Sequence, residues 1–163
     1  MEKLLPLAVE RDIPLGFFGS SPIVIEKLRE RIQHQNPQIK IAYAFSPPFR
    51  AFSKEENENI AQEINQSKVR ILFVGLGCPK QELWMHANKG KINAVMVGVG
   101  AAFDFIAGEK GQAPQWIQNS GMEWLYRLLK EPKRLWGRYI SIVPRFLFLM
   151  SREFIRSRRK QDK

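Results

Sequence analysis

Cysteine, histidine and aspartate are scarce in this sequence, and their scarcity removes several classes of site. The single cysteine, Cys78, excludes an internal disulfide and a CxxC zinc site, and it suits a reducing cytoplasm. The other candidate metal ligands are two histidines and three aspartates: His34, His86, Asp12, Asp104 and Asp162. No two of them are close in sequence and no DxD pair occurs, so we expect no metal site and no metal cofactor.

Long hydrophobic runs are also missing. The apolar stretch from Leu4 to Val9 is too short for a signal peptide and is followed by acidic residues. The stretch from Tyr139 to Met150 is interrupted by Pro144 and Arg145, and it falls short of the roughly 18 residues that a spanning helix needs. We therefore expect neither a secreted nor an integral membrane protein.

Acidic residues are few in one part of the chain, which makes the charge distribution uneven. The 163 residues carry 26 Lys and Arg against 16 Asp and Glu, a net charge of +10. Residues 123–163 contain 12 basic and 4 acidic side chains, whereas residues 1–122 contain 14 and 12. A nearly neutral body of residues 1–120 and a cationic appendage of residues 121–163 are predicted, and an anionic partner should meet the appendage.

The body alternates short apolar segments with amphipathic ones. The predicted strands cover 15–19, 39–45, 69–74 and 92–97. The predicted helices cover 4–11, 20–36 and 79–88, and a further helix starts at Ser53 with Ile60 and Ile64 on its inward face. Ser20-Ser21-Pro22 predicts a helix start, and Ser53 with Glu56 forms a capping-box pattern. This order predicts an α/β fold with a Rossmann-like parallel sheet sandwiched by helices, followed by a helical basic appendage.

Three glycine-bearing turns follow predicted strands, at Gly19, at Gly75 with Gly77, and at Gly98 with Gly100. In a parallel sheet the carboxyl ends of the strands share one edge, where ligands of open α/β proteins bind. The alternative is that these glycines only allow tight turns.

The segment GLGCPKQE, from Gly75 to Glu82, combines glycines, a helix start at Pro79, the cation Lys80 and the amide Gln81. Backbone N–H groups at a helix start can receive an anion, and a glutamine side chain can both donate to and accept from a sugar or base. The segment is neither a Walker loop nor a GxGxxG turn, so an ordinary strand-to-helix corner remains the alternative to a phosphate or nucleotide site.

Two further segments attract attention. In GVGAAFDFIAG, Asp104 lies in an apolar setting just after a strand, where a carboxylate is either tied to backbone amides or functional. Downstream of APQW, the segment GMEWLYRLLKEP predicts a helix with an apolar face from which Arg127 stands apart.

Taken together, GLGCPKQE, GVGAAFDFIAG, APQW and GMEWLYRLLKEPKR resemble the signature of the WecG/TagA/CpsF family of bacterial glycosyltransferases, in order and over essentially the whole chain. The resemblance implies transfer of N-acetylmannosamine, or a related sugar, from a UDP donor to undecaprenyl-diphosphate-linked N-acetylglucosamine. It implies an inverting, metal-independent reaction in the synthesis of teichoic acid or another cell-surface polysaccharide, on the cytoplasmic face of the membrane. The implied partners are a UDP-sugar, a lipid-linked acceptor and an anionic membrane surface, with a homo-oligomer left open.

The turns and segments described above supply the substrate-binding candidates, which are Gly19, Gly75, Gly77, Lys80, Gln81, Gly98, Gly100 and Asp104. The catalytic candidates are Gln81, Arg127, Arg134 and Arg138. In the family a catalytic aspartate, an arginine and a threonine lie in an N-terminal part that this sequence does not contain, so the general base is expected upstream of Met1. The alternatives are a truncated frame, half of a split enzyme, or a silent remnant that binds membranes or a partner.

The basic appendage has two predicted roles. Arg134 and Arg138 are i, i+4 neighbours, and arginine forks can neutralise a departing diphosphate without a metal. A solvated cationic face is the alternative for this pair. Beyond Pro144, helical spacing places Arg145, Arg152, Arg156 and Arg159 on one stripe, across from Phe146, Leu147, Met150 and Phe154. This layout is typical of a helix at a membrane interface, whereas no nucleic-acid-binding motif is present.

Overall fold

The computed structural model describes residues 1, 3–109, 111, 114, 117, 119–130, 132, 135, 137, 140, 143–146, 148–150 and 152, with the backbone alone at 123 and 127. The chain divides into two compact units, Met1–Gly111 and Gln112–Lys163. The elements of the first unit are α1 (Leu4–Glu10), β1 (Leu15–Gly19), α2 (Pro22–Gln35), β2 (Ile41–Phe45), α3 (Lys54–Gln66), β3 (Ile71–Gly75), α4 (Lys80–Ala87), β4 (Val95–Gly98) and α5 (Ala102–Ile106). In the second unit, α6 spans Glu123–Lys130.

The four strands form one parallel sheet in the order β2-β1-β3-β4. The chain moves from β1 to one side to make β2, then to the other side to make β3 and β4. The direction of winding therefore reverses between β1 and β3, which is where open α/β sheets form a crevice at their carboxyl ends. The predicted α/β class and Rossmann-like parallel sheet are confirmed.

Neighbouring residues of the central strands point their side chains to opposite faces of the sheet, as the period-2 geometry of a strand requires. Phe17 and Phe73 join one apolar cluster together with residues of α1, α2 and α5. Phe18 and Val74 join a second cluster with residues of α3 and α4. The sheet is thus covered by helices on both faces, and this burial explains why β1 and β3 lack polar residues.

Both predicted helix starts are present. The Ser21 hydroxyl accepts a hydrogen bond from the Val24 N–H at 3.3 Å, with Pro22 in the first turn of α2. The Ser53 hydroxyl accepts from the Glu56 N–H at 3.1 Å, and the Glu56 carboxylate accepts from the Ser53 N–H at 2.8 Å. The predicted capping box is confirmed.

Strand starts were predicted two or three residues too early at β2, β3 and β4. Ile39, Val69 and Ile92 are 6%, 3% and 6% exposed, yet they precede the paired strands. These side chains contribute to the core from connecting segments. Apolar character therefore reports burial here, whereas the start of a strand depends on backbone pairing.

The second unit is described only in part. Trp124 and Leu129 of α6 are exposed, and so are Phe146 and Met150 further along. In the described part of the chain, no helix has the length and apolar character needed to cross a membrane. The predicted boundary between a body of residues 1–120 and a cationic appendage of residues 121–163 stays a prediction.

The carboxyl ends of β1 and β3 approach so closely that a side chain cannot fit between them. A Cβ added to Gly19 would lie 2.5 Å from the carbonyl carbon of Gly75, and Gly19 has a φ of +128°. Gly90 also has a positive φ, +81°, but nothing lies within 4 Å of an added Cβ. A comparison of substitutions at these two glycines therefore distinguishes the cost of steric crowding from the cost of backbone strain.

Gly19→Ala is expected to lower the free energy of unfolding by about 3 kcal/mol or more, because the added Cβ would both clash with Gly75 and strain the backbone. Gly90→Ala should lower the free energy of unfolding by about 1 kcal/mol, because it strains the backbone without a steric clash. Urea unfolding of both variants measures the difference. Equal costs would show that the strand ends can separate to admit a side chain.

Candidate functional site

The structure brings the three predicted glycine turns to one edge of the sheet. Gly19 is in register with Gly75, and Val74 is in register with Gly98, so β1, β3 and β4 end side by side. The crevice expected at the β1/β3 reversal lies at this edge. We refer to the turns after these three strands as the glycine rim.

A cavity of about 390 Å³ opens at the rim between the ends of β1 and β3, the start of α4 and the loop of residues 47–52. Its lining includes Ser20, Gly75, Lys80 and Trp84. The walls are mainly apolar, with Lys80 and Arg50 as the charged residues. An apolar cavity with a few polar and cationic groups is typical of a binding site for a small organic anion.

Gln81 lies at the centre of the rim's hydrogen bonding. Its side-chain Oε1 accepts from the Gly100 N–H at 3.0 Å, and its Nε2 donates to Glu82 Oε1 at 2.9 Å. A Cβ on Gly98 would lie 3.0 Å from Gln81 Nε2, so this amide packs against the end of β4. Gln81 is only 7% exposed and links α4 to the turn after β4.

Asp104 is joined to the turn after β1. The Ser20 hydroxyl donates to Asp104 Oδ1 at 3.3 Å, and Ser20 itself has a φ of 58°. The Ser46 hydroxyl donates to the Ser20 carbonyl at 2.7 Å. The half-buried Asp104 therefore stabilises a left-handed turn at the cavity wall, whatever further role it has.

The two remaining glycines have conformational roles. Gly77 and Gly100 have φ values of +79° and +55°, and no atom lies closer than 4.0 Å to a Cβ built at either position. They permit left-handed turns and leave the adjoining space open. Between Gly77 and α4, the Cys78–Pro79 peptide bond is cis and Cys78 is exposed.

Trp84 was not among the predicted site residues. Its ring stacks on Phe18 with centroids 4.4 Å apart, and it lines the cavity. Its indole N–H is buried without a hydrogen-bond partner within the described part of the chain. Unsatisfied buried donors are rare in proteins, and one on a cavity-lining residue favours a ligand site. In the sequence this residue is indistinguishable from a core aromatic residue.

An ion pair between Arg50 and Glu56 was also missed. Arg50 Nη1 donates to Glu56 Oε2 at 2.8 Å, and Arg50 Nη2 donates to Glu56 Oε1. The hydrogen bonds from Arg50, followed by the backbone N–H of Ser53, lower the pKa of Glu56 to about 2. One carboxylate thus caps α3 and holds the cavity loop.

The predicted arginines are not brought into this site by the described structure. Arg127 belongs to α6 through its backbone, while Arg134 and Arg138 lie outside the described residues, as do Arg156 and Arg159. Their roles stay predictions. Over the described residues, no group of three or more His, Cys, Asp or Glu side chains could hold a metal ion.

The parallel sheet and the cavity at its winding reversal define an open α/β protein with a candidate small-ligand site. Residues 1–160 match the Glycosyl transferase WecG/TagA/CpsF family, and the chain belongs to that family.

Similar proteins in two bacterial genera carry the name N-acetylglucosaminyldiphosphoundecaprenol N-acetyl-beta-D-mannosaminyltransferase. The protein from Bacillus spizizenii is 35% identical over 140 residues, which cover 85% of this chain and 52% of the relative. Those from Staphylococcus aureus and Bacillus subtilis are 30% identical over 153 residues, covering 93% of this chain and 58% and 57% of the relatives. The chain therefore spans about half the length of the curated relatives it matches.

The Arg50–Glu56 pair leads to a pH-dependent prediction. Because the pKa of Glu56 falls from its ordinary value of 4.5 to about 2 on folding, the ionised carboxylate stabilises the folded state. Wild type should have a higher urea midpoint than Glu56→Gln above pH 4.5. This advantage should shrink as the pH falls from 4.5 towards 2.

Glu55→Gln is the matched control, because it removes the same charge from the same first helical turn. Its midpoint should differ less from wild type. A Glu56→Gln effect that persists unchanged at low pH would contradict an ionic origin.

Proposed function

We propose that this chain provides the donor-binding part of a glycosyltransferase. The reaction moves N-acetylmannosamine from a UDP donor to N-acetylglucosaminyldiphosphoundecaprenol. The family match and the names of the relatives support the reaction class and the acceptor. The observation that carries the proposal for this chain is the cavity at the glycine rim, with Gln81 beside it.

The cavity offers separate surfaces for the parts of a nucleotide sugar. Its apolar walls, including Trp84, suit the flat base, and Lys80 suits the diphosphate. A glutamine amide has two donor hydrogens and two acceptor lone pairs, and Gln81 uses one of each in its contacts with Glu82 and Gly100. A sugar hydroxyl is the natural partner for the remaining donor hydrogen and the remaining acceptor lone pair of Gln81.

The proposed chemistry is an inverting displacement at the anomeric carbon. The acceptor hydroxyl attacks opposite the departing UDP, a base removes its proton, and cations stabilise the negative charge that develops on the diphosphate. Arg127, Arg134 and Arg138 are proposed for that charge in place of a metal ion. The base is proposed to come from the part of the family domain that this chain does not match.

Attachment to an anionic membrane surface is proposed for the second unit. Arg145 and Arg152 are exposed, as are the apolar side chains of Phe146 and Met150. Exposed cations beside exposed apolar groups suit the boundary between lipid headgroups and acyl chains. Such attachment would bring this chain to the membrane that carries a lipid-linked acceptor.

The donor site is tested by calorimetric titration with UDP in the absence of added metal. Wild type should bind, and Gln81→Ala should bind about tenfold more weakly because it loses the contact to Gly100 that shapes the rim. Gln62→Ala, an exposed glutamine on α3, is the matched control and should bind like wild type. The absence of UDP binding by the folded wild-type chain would remove the proposal.

Membrane attachment is tested by flotation with vesicles of phosphatidylglycerol and phosphatidylcholine. Neutralising Arg145 and Arg152 to glutamine should weaken binding about thirtyfold, since each cation near an anionic leaflet contributes about 1 kcal/mol. Neutralising the exposed Arg11 and Arg29 of the first unit is the matched control. Equal binding to pure phosphatidylcholine vesicles would contradict an electrostatic attachment.

A further inference from the structure

The loop of residues 47–52 brings a cation to the cavity wall. All six of its residues line the cavity, and Arg50 is the charged one among them. Phe52 packs against Phe18 of β1, with ring centroids 6.2 Å apart, so the loop is joined to the core beside the cavity. Lys80 is the other cationic residue of the lining. An anion in the cavity therefore meets one cation from the loop and one from the start of α4.

The guanidinium group of Arg50 has five N–H groups in one plane, and three of them are used within the protein. Nη1 donates to the Glu56 carboxylate at 2.8 Å and to the Ala51 carbonyl at 3.1 Å, which occupies both of its hydrogens. Nη2 donates one hydrogen to the Glu56 carboxylate. Among the residues that the structure describes, none accepts a hydrogen bond from the Nε–H or from the second hydrogen of Nη2.

These two remaining N–H groups lie side by side on one edge of the guanidinium plane. In arginine the Nε–H and the adjacent N–H of Nη2 are parallel and form a fork, as Nη1 and Nη2 do on the next edge. Glu56 occupies the Nη1–Nη2 fork with both carboxylate oxygens. The Nε–Nη2 fork is left for a second oxyanion, and two oxygens of one phosphate group match its spacing.

Glu56 has two effects on this fork. Its carboxylate and the Ala51 carbonyl hold the guanidinium group in one orientation, so an anion that binds there immobilises fewer rotamers than it would on a free surface arginine. Its negative charge also offsets the charge of Arg50, which leaves Lys80 as the net positive charge of the three. Lys80 thus supplies attraction, whereas Arg50 supplies direction.

We propose that the Nε–Nη2 fork of Arg50 binds a phosphate group of the nucleotide donor, with Lys80 as the second cationic contact to the diphosphate. This inference rests on the proposed donor site, because it names a residue that recognises the donor there. Two parallel N–H groups select a group with two suitably spaced oxygens, whereas an ammonium group attracts any anion. Arg50 and Lys80 both belong to the unit that contains the cavity, so this contact does not require the arginines of the second unit.

The proposal is tested with the double variant Arg50→Gln and Glu56→Gln. It removes the fork and leaves the net charge of the chain unchanged, so a change in affinity reports hydrogen bonding and not long-range attraction. UDP should bind this variant about tenfold more weakly than wild type in a calorimetric titration. Unchanged UDP affinity would overturn the proposal.

The matched control is the double variant Lys40→Gln and Asp12→Asn. It also removes an exposed ion pair without changing the net charge, and neither residue lines the cavity. UDP should bind this control like wild type. A loss of affinity equal to that of the Arg50 and Glu56 variant would show that removing any surface ion pair weakens binding, which would contradict a specific contact.

Uridine separates a phosphate contact from a role in holding the loop. It has the base and ribose of UDP without a phosphate group, so its affinity, measured by NMR titration, should be the same for wild type and the Arg50 and Glu56 variant. Equal losses of uridine and UDP affinity would show that the ion pair only shapes the loop, and would overturn the proposal.

Arg50→Lys gives a second test that depends on UDP alone. This substitution keeps the positive charge and can still pair with Glu56, but it presents no fork. UDP affinity should fall about fivefold, while the urea midpoint stays close to that of wild type. Full UDP affinity in Arg50→Lys would overturn the fork and leave the donor site standing. Absence of UDP binding by the folded wild-type chain would instead remove the donor site, and this contact with it.

Discussion

The contact between the backbones of Gly19 and Gly75 is the constraint on which the arrangement of the site depends. The two residues are in register at the carboxyl ends of β1 and β3, and the approach leaves no space for a Cβ. Because the chain winds away from this pair in both directions, helices do not cover the strand ends there. The cavity, the left-handed turn at Ser20 and the start of α4 all lie around this point.

Helix α4 carries the polar part of the site and is held at both ends. At its start, Gln81 accepts a hydrogen bond from Gly100. At its end, Asn88 is fully buried and exchanges two amide hydrogen bonds with Asn57 of α3, at 2.9 Å and 3.1 Å. Satisfied buried amides of this kind specify one arrangement, because any displacement leaves a polar group unpaired. The positions of Lys80 and Trp84 follow from this anchoring.

Much of the fold could be predicted because its determinants are local in sequence. The alternation of apolar strands and amphipathic helices, the serine caps and the glycine turns each depend on a few neighbouring residues. Their order then limits the topology to a parallel sheet whose strand ends share one edge. Gln81 and the rim glycines were predicted as site residues for this reason. Arg50 and Trp84 were not, since one pairs across a loop and the other resembles a core residue.

The sequence by itself determined the element order, the buried stripes and the family, because spacing and residue type carry that information without reference to distant contacts. Only the tertiary structure decided that β1 and β3 adjoin at the reversal of winding. It also decided that Gln81 meets the turn after β4, and that β4 lies at one edge of the described sheet. Each of these depends on pairings between distant segments, which no local pattern encodes because they arise from packing the whole sheet at once.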